Sequence, residues 1–178
     1  PHPLHGGTMN NKVVTTIART FAGMGAAAVR FNYRGVGQSE GEYGDTIGEA
    51  QDLNAIITWV RQCKPTTVLW LAGFSFGAVV ASRVAPRYEL AALLLVGPPV
   101  VRYDFKTIAP PKCPRLVIQG DSDEVVEPQA VYAWVASEQP KPKLEVVPKT
   151  SHFFHSRLIT LKELIIKHYQ QKLKNDDT

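Results

Sequence analysis

Gly73-Phe74-Ser75-Phe76-Gly77-Ala78 (GFSFGA) lies between an apolar run, Val68-Leu69-Trp70-Leu71-Ala72, and a second, helix-like run from Val79 to Ala85 that Pro86 closes. It places one Ser between two Gly where an extended segment gives way to a helix, the G-x-S-x-G pattern. A turn that sharp forces the Ser backbone into a strained conformation. It leaves Oγ exposed at the foot of a helix, where N–H groups point outward. Gly on either side lets neighbouring backbone pass without a Cβ clash. The pattern alone arises by chance in roughly one chain in twenty of this size, so its position at a strand–helix junction carries the weight. The simpler alternative is a turn of small residues that only permits helix–sheet packing.

Working outward, the periodicity alternates between strand and helix. Residues 10–24 place Val13, Ile17, Phe21 and Met24 at helical spacing, and residues 26–33 read as a buried strand. Residues 34–44 are Gly-rich and polar and read as a loop. Residues 47–63 read as a helix with Leu53, Ile56, Ile57 and Val60 on one face. Strands follow at 66–74, 91–96, 115–119 and 143–147, with helices at 75–85, 128–137 and 156–173. The polar tail from Lys174 is expected to fray. Continuous apolar strands alternating with helices predict one α/β domain over residues 1–178, with a mostly parallel, doubly wound sheet and helices on both faces.

Composition narrows the function classes. The chain has 178 residues, a formal charge of +4 and 20% charged residues, with no clustered basic run. Nucleic-acid binding therefore lacks its electrostatic signature. No apolar run is long enough to cross a bilayer. Cys63 and Cys113 are too few and too far apart for a zinc site or a disulfide framework, and they fit reduced thiols in a cytoplasmic protein.

In such sheets, ligands bind beyond the C-terminal ends of the strands. After residues 115–119 comes Gly120-Asp121-Ser122-Asp123-Glu124-Val125-Val126, where a carboxylate could orient an imidazole or merely cap a turn. After residues 143–147 comes Ser151-His152-Phe153-Phe154-His155, which puts His152 on a loop suited to a general base. His155, one turn on, would point elsewhere. The chain order is Ser, Asp, His. Gly35 to Gly41 hints at a dinucleotide loop, but no helix begins there, so a structural turn anchored by Arg34 is the better account. His2 and His5 lack a third ligand nearby and read as shaping residues of their loop.

These motifs together resemble the α/β-hydrolase superfamily over nearly the whole chain. GFSFG resembles its nucleophile elbow, GDSDEVV its acid turn, SHFF its histidine turn, NYRGVGQSEG its Gly-rich loop and PHPLHGG its oxyanion loop. PHPL…GG and SHFFH are similar to a small bacterial group of lidless serine hydrolases, dienelactone-hydrolase-like or esterase-like. The resemblance implies Ser75 as nucleophile, His152 as base and Asp123, rather than Asp121, as the acid. It implies oxyanion donors at the backbone N–H of Phe76 and, because Pro3 has none, of Leu4. Dienelactone hydrolases proper use Cys where this chain has Ser75, which argues against that substrate. The strand the family places ahead of the oxyanion loop is not in the sequence, so the domain is expected to lack its N-terminal strands. Only residues 97–114 separate two consecutive strands, too few for a cap domain. Phe76 and Phe153 are expected to wall an open acyl pocket. The expected activity is hydrolysis of small carboxylic esters through an acyl-enzyme, with no cofactor or metal. The expected partner is a small-molecule ester rather than nucleic acid or membrane, and a homodimer is compatible with it. The same machinery also suits a thioesterase or peptidase, and the fold suits a non-catalytic binding protein.

Overall fold

A computed structural model describes residues 1–176. Four strands form one parallel sheet in chain order: β1 (Trp70–Phe74), β2 (Ala92–Val96), β3 (Arg115–Gly120) and β4 (Lys143–Val147). Helices cover both faces: α1 (Lys12–Gly23), α2 (Ile47–Cys63), α3 (Phe76–Val84), α4 (Pro128–Ser137) and α5 (Leu158–Asp176).

β2 shows why the strands read as unbroken apolar runs. Ala92, Leu94 and Val96 face a cluster with Val13 and Ile17 of α1 and Leu161 and Ile165 of α5. Leu93 and Leu95 face the opposite cluster, with Ala78 and Val79 of α3 and Val131 and Trp134 of α4. Successive side chains alternate faces, and both faces are covered, so every position must be apolar. α2 packs outside α3, joining Leu53 and Ile57 to Val80 and Val84.

Local chemistry sets the helix boundaries. Asn11 caps α1, its Oδ1 accepting from the N–H of Val13 at 2.9 Å and of Val14 at 3.4 Å. Pro128 opens α4, where a missing N–H costs nothing. α5 begins at Leu158, later than periodicity suggests, because Phe154 and Ser156 hold positive φ values of 53° and 59°. It then runs through the segment expected to fray, as far as Asp176; Asp177 and Thr178 lie outside the described residues.

Two strand expectations are corrected. Residues 66–68 lie outside the ladder, and Leu69 contributes only its carbonyl, which accepts the Ala91 N–H at 2.8 Å, so β1 starts at Trp70 opposite Ala92. Residues 26–33, expected to be a buried strand, form none, and residues 27–30 are exposed. The apolar run is extended chain that pairs with no strand among the described residues.

The connection from β2 to β3 contains only turns and a short 3-10 helix, Phe105–Thr107, so no cap covers the strand ends. The Gly-rich loop is tied down by Arg34. Its N–H, Nε and Nη2 all donate to the Asp52 carboxylate, at 2.9, 2.9 and 2.7 Å.

Candidate active site

Ser75 sits between β1 and α3 with φ 54° and ψ −119°, a conformation residues other than Gly rarely adopt. Its N–H is held by the Val96 carbonyl at 2.9 Å, and its carbonyl accepts from Ala78 N–H at 2.8 Å. Gly73 is what permits the turn to close. A Cβ there would lie 2.2 Å from the Gly77 carbonyl oxygen and 2.6 Å from Ala78 Cα. α3 starts at Phe76, so the Phe76 N–H is a first-turn donor with no intrahelical acceptor.

Three side chains from three strand ends meet at this turn. His152 Nε2 lies 2.9 Å from Ser75 Oγ, and His152 Nδ1 lies 2.8 Å from Asp123 Oδ2. All three residues are buried, and the His152 and Asp123 side chains are almost completely so. Asp123 Oδ1 accepts from the N–H of Val125 at 2.9 Å and of Val126 at 2.7 Å. Burial pushes the Asp123 carboxyl up, but the bonds to His152, Val126 and Val125 outweigh it, and the net effect holds Asp123 below the ordinary carboxylate value. A carboxylate at Nδ1 leaves Nε2 free to take a proton from the hydroxyl, which is what nucleophilic attack by a Ser requires. Asp121 is exposed and binds Ser122 Oγ at 2.8 Å, away from the imidazole. His155 is exposed, its ring 6.1 Å from that of Phe153.

A family model described as serine aminopeptidase, S33 matches residues 3–111. The chain belongs to this family. It is a small, lidless α/β-hydrolase. A solved α/β serine hydrolase homologue from Coxiella burnetii superposes with a TM-score of 0.92 at 46% identity, over 95% of this chain and 81% of that one. XC6422 from Xanthomonas campestris, a serine hydrolase without a lid, superposes with a TM-score of 0.90 at 48% identity, over 94% of this chain and 76% of that one. The uncharacterized protein RP471 of Rickettsia prowazekii (strain Madrid E) is 37% identical over 164 residues, 86% of this chain and 69% of that protein.

Three supporting residues of this S33-family site escape motif reading. Gln119, fully buried at the end of β3, donates from Nε2 to Asp123 Oδ2 at 2.9 Å. Glu124 accepts the backbone N–H of His152 at 3.1 Å and ties the acid turn to the histidine turn. Gly97, at φ 54°, passes so close to the imidazole that a Cβ would lie 3.1 Å from His152 Cε1 and 3.3 Å from Nδ1. The only sequence signal for Gly97 is its place directly after a strand, and for Glu124 its place inside the acid-turn motif; Gln119 carries none.

The remaining expected residues lie close by, in altered roles. Phe153 is 38% exposed and stands edge-on to His152, ring centroids 5.1 Å apart, at the rim of the site. Phe76 is only 1% exposed. Its ring packs among His2, Tyr33, Tyr43 and Tyr103, so it forms the floor beneath the site instead of walling an open pocket. Leu4 lies in a short 3-10 turn, Pro3–His5, with its side chain exposed and its N–H donating to His2 Nδ1 at 3.2 Å. His2 stacks on His5 at 4.5 Å and lies tilted against Phe76 at 4.9 Å, so both act as shaping residues of that turn.

Proposed function

We propose that this hydrolase cleaves small carboxylic esters through an acyl-enzyme on Ser75. The hydrogen-bonded series Ser75 Oγ, His152 Nε2, His152 Nδ1 and Asp123 Oδ2, with links of 2.9 and 2.8 Å, carries this reading. Ser75 Oγ attacks the acyl carbon while His152 Nε2 takes its proton. Asp123 holds the imidazole in the productive tautomer and stabilises the cation. The C–O bond to the leaving alcohol breaks, and His152 returns the proton to it. Water, deprotonated by His152, then attacks the acyl-Ser75 ester and releases the acid. Phe76 N–H binds the oxyanion, and Leu4 N–H becomes the second donor once it leaves His2 Nδ1. Each such donor is worth about 2.7–4 kcal/mol where one has been removed from a related site.

The absence of a cap between β2 and β3 favours small or open-ended substrates, with Phe153 against the acyl or alcohol group. The family's name also brings amide bonds into view. An aminopeptidase must receive an α-ammonium. Burial, with His5 and Arg102 nearby, lowers the His2 pKa and favours its neutral form, so it offers an incoming ammonium no anionic partner. Unpaired Cys63 and Cys113 fit a reducing, cytoplasmic setting.

Stopped-flow hydrolysis of p-nitrophenyl acetate and butyrate tests the proposal. A stoichiometric burst of nitrophenolate, absent in Ser75→Ala, is expected. A larger rate on amino-acid p-nitroanilides than on these esters would replace the esterase reading with the peptidase one.

A further inference from the structure

Gln119 breaks the apolar pattern of β3. It is fully buried, and by alternation it shares a face of the strand with Val117, which packs with Val79 of α3 and Val131 of α4. A Leu or Met would fill that position with no polar group to satisfy. The amide of Gln119 is only half satisfied. Nε2 donates to Asp123 Oδ2 at 2.9 Å and to the Gly120 carbonyl at 3.1 Å, whereas Oε1 is buried and meets no donor among the described residues. A buried acceptor without a donor costs stability, so packing alone does not account for a Gln here.

The two acceptors fix which way the amide faces. Turned over, it would set Oε1 against the Asp123 carboxylate and the Gly120 carbonyl, both of which repel it. Held as it is, Nε2 completes the hydrogen bonding of Asp123. Oδ1 takes the N–H groups of Val125 and Val126, and Oδ2 takes His152 Nδ1 and Gln119 Nε2. The Asp123 side chain is almost wholly buried. A buried carboxylate stays ionised only where such bonds replace water. Other groups facing the pair do not take over this task. Glu124 accepts the His152 N–H at 3.1 Å and brings a second negative charge. Phe74 and Phe153 present apolar rings to the imidazole, and Gly97 closes the β2 side. Asp121, Lys149 and His155 are exposed.

We propose, resting on the catalytic reading of Ser75, that Gln119 is a positioning residue that keeps Asp123 ionised and holds Oδ2 on His152 Nδ1. Amide and imidazole share Oδ2. Without the amide, Asp123 pulls harder on the imidazole proton, so the imidazolium persists to higher pH, and the carboxylate is free to rotate off Nδ1. Gln119 therefore sets both the rate of attack by Ser75 and the pH at which that rate rises.

Phosphonylation of Ser75 by a fluorophosphonate, timed by intact mass from about pH 5 to 9, tests this whatever ester the protein prefers. Gln119→Met keeps the length and removes the donor. It is expected to lower the plateau rate about tenfold and to move the ascending limb up by about half a pH unit. The same substitution on an Asp123→Ala background, with no carboxylate to hold, is expected to cost less than about twofold. An unmoved limb in a folded Gln119→Met protein, or an equal cost in both backgrounds, would overturn the proposal and leave Gln119 as packing. If Gln119→Met does not fold, Gln119→Glu decides. Its carboxyl donates to Oδ2 only while protonated, so a descending limb at higher pH is expected, and a profile that matches the parent's there overturns the proposal. A parent that does not label would overturn the reading of Ser75 and this proposal with it; a parent that labels beside an unmoved limb overturns this proposal alone.

Discussion

Replacing Gly97 with Ala tests how finely the imidazole is positioned. Gly97 follows β2 and lies beside His152 with φ 54°. An L-residue in that region costs about 1–2 kcal/mol. For a domain of this size, that lowers the melting temperature by roughly 2–8 °C. The new Cβ would lie 3.1 Å from His152 Cε1, 3.3 Å from Nδ1 and 3.7 Å from Asp123 Oδ2, so the ring must give by a few tenths of an ångström. Misplacement by 1 Å costs on the order of a hundredfold in rate, so a shift of a few tenths should cost roughly three- to tenfold. The assay pairs kcat/KM for p-nitrophenyl acetate with thermal unfolding. The expected outcome is a modest loss of stability with a clear loss of kcat/KM well below the unfolding transition. Unchanged kcat/KM in a destabilised protein would refute the close-packing argument, because the ring would then have room to spare.

Asp123→Asn should lower kcat by about 10⁴, since the amide holds the wrong tautomer of His152. Asp123 also links stability to pH. Its carboxyl is held below the ordinary value in the folded protein, so the unfolded chain binds protons more readily. Its contribution should be fully present above the ordinary carboxylate range, about pH 4, and fade as pH falls through the lower folded value; urea unfolding of the parent and Asp123→Asn across pH 3–7 measures this. Glu138→Ala leaves the buried Arg115 without its partner at 2.5 Å and should cost about 3–5 kcal/mol in denaturant unfolding, yet leave kcat of the folded protein unchanged. Glu124→Ala removes the acceptor of the His152 N–H and should slow ester hydrolysis more than it lowers stability, checked by the same two assays.

Much of this was legible in the sequence, for physical reasons. The strands of 92–96 and 115–120 could be read because burial on both faces demands continuous apolar runs. The meeting of Ser75, Asp123 and His152 could be read because each falls just beyond a strand, where a parallel sheet gathers its polar groups. Residues 26–33 misled because β-propensity reports a chain suited to pairing, and a strand also needs a partner. Gln119 and Gly97 stayed hidden because their roles depend on distances across the sheet that no local pattern encodes. Phe76 was misplaced for a similar reason: position next to a nucleophile does not decide which way a ring points, and the rings of Tyr33, Tyr43, Tyr103 and His2 draw it inward.

The nucleophile itself is tested most directly by intact mass after incubation with a fluorophosphonate, beside Ser75→Ala. A single phosphonyl adduct on the parent and none on the variant is expected, with tryptic mapping to the peptide that holds Ser75. An adduct of equal stoichiometry on Ser75→Ala, or one mapped to another residue, would contradict Ser75 as the group that His152 activates.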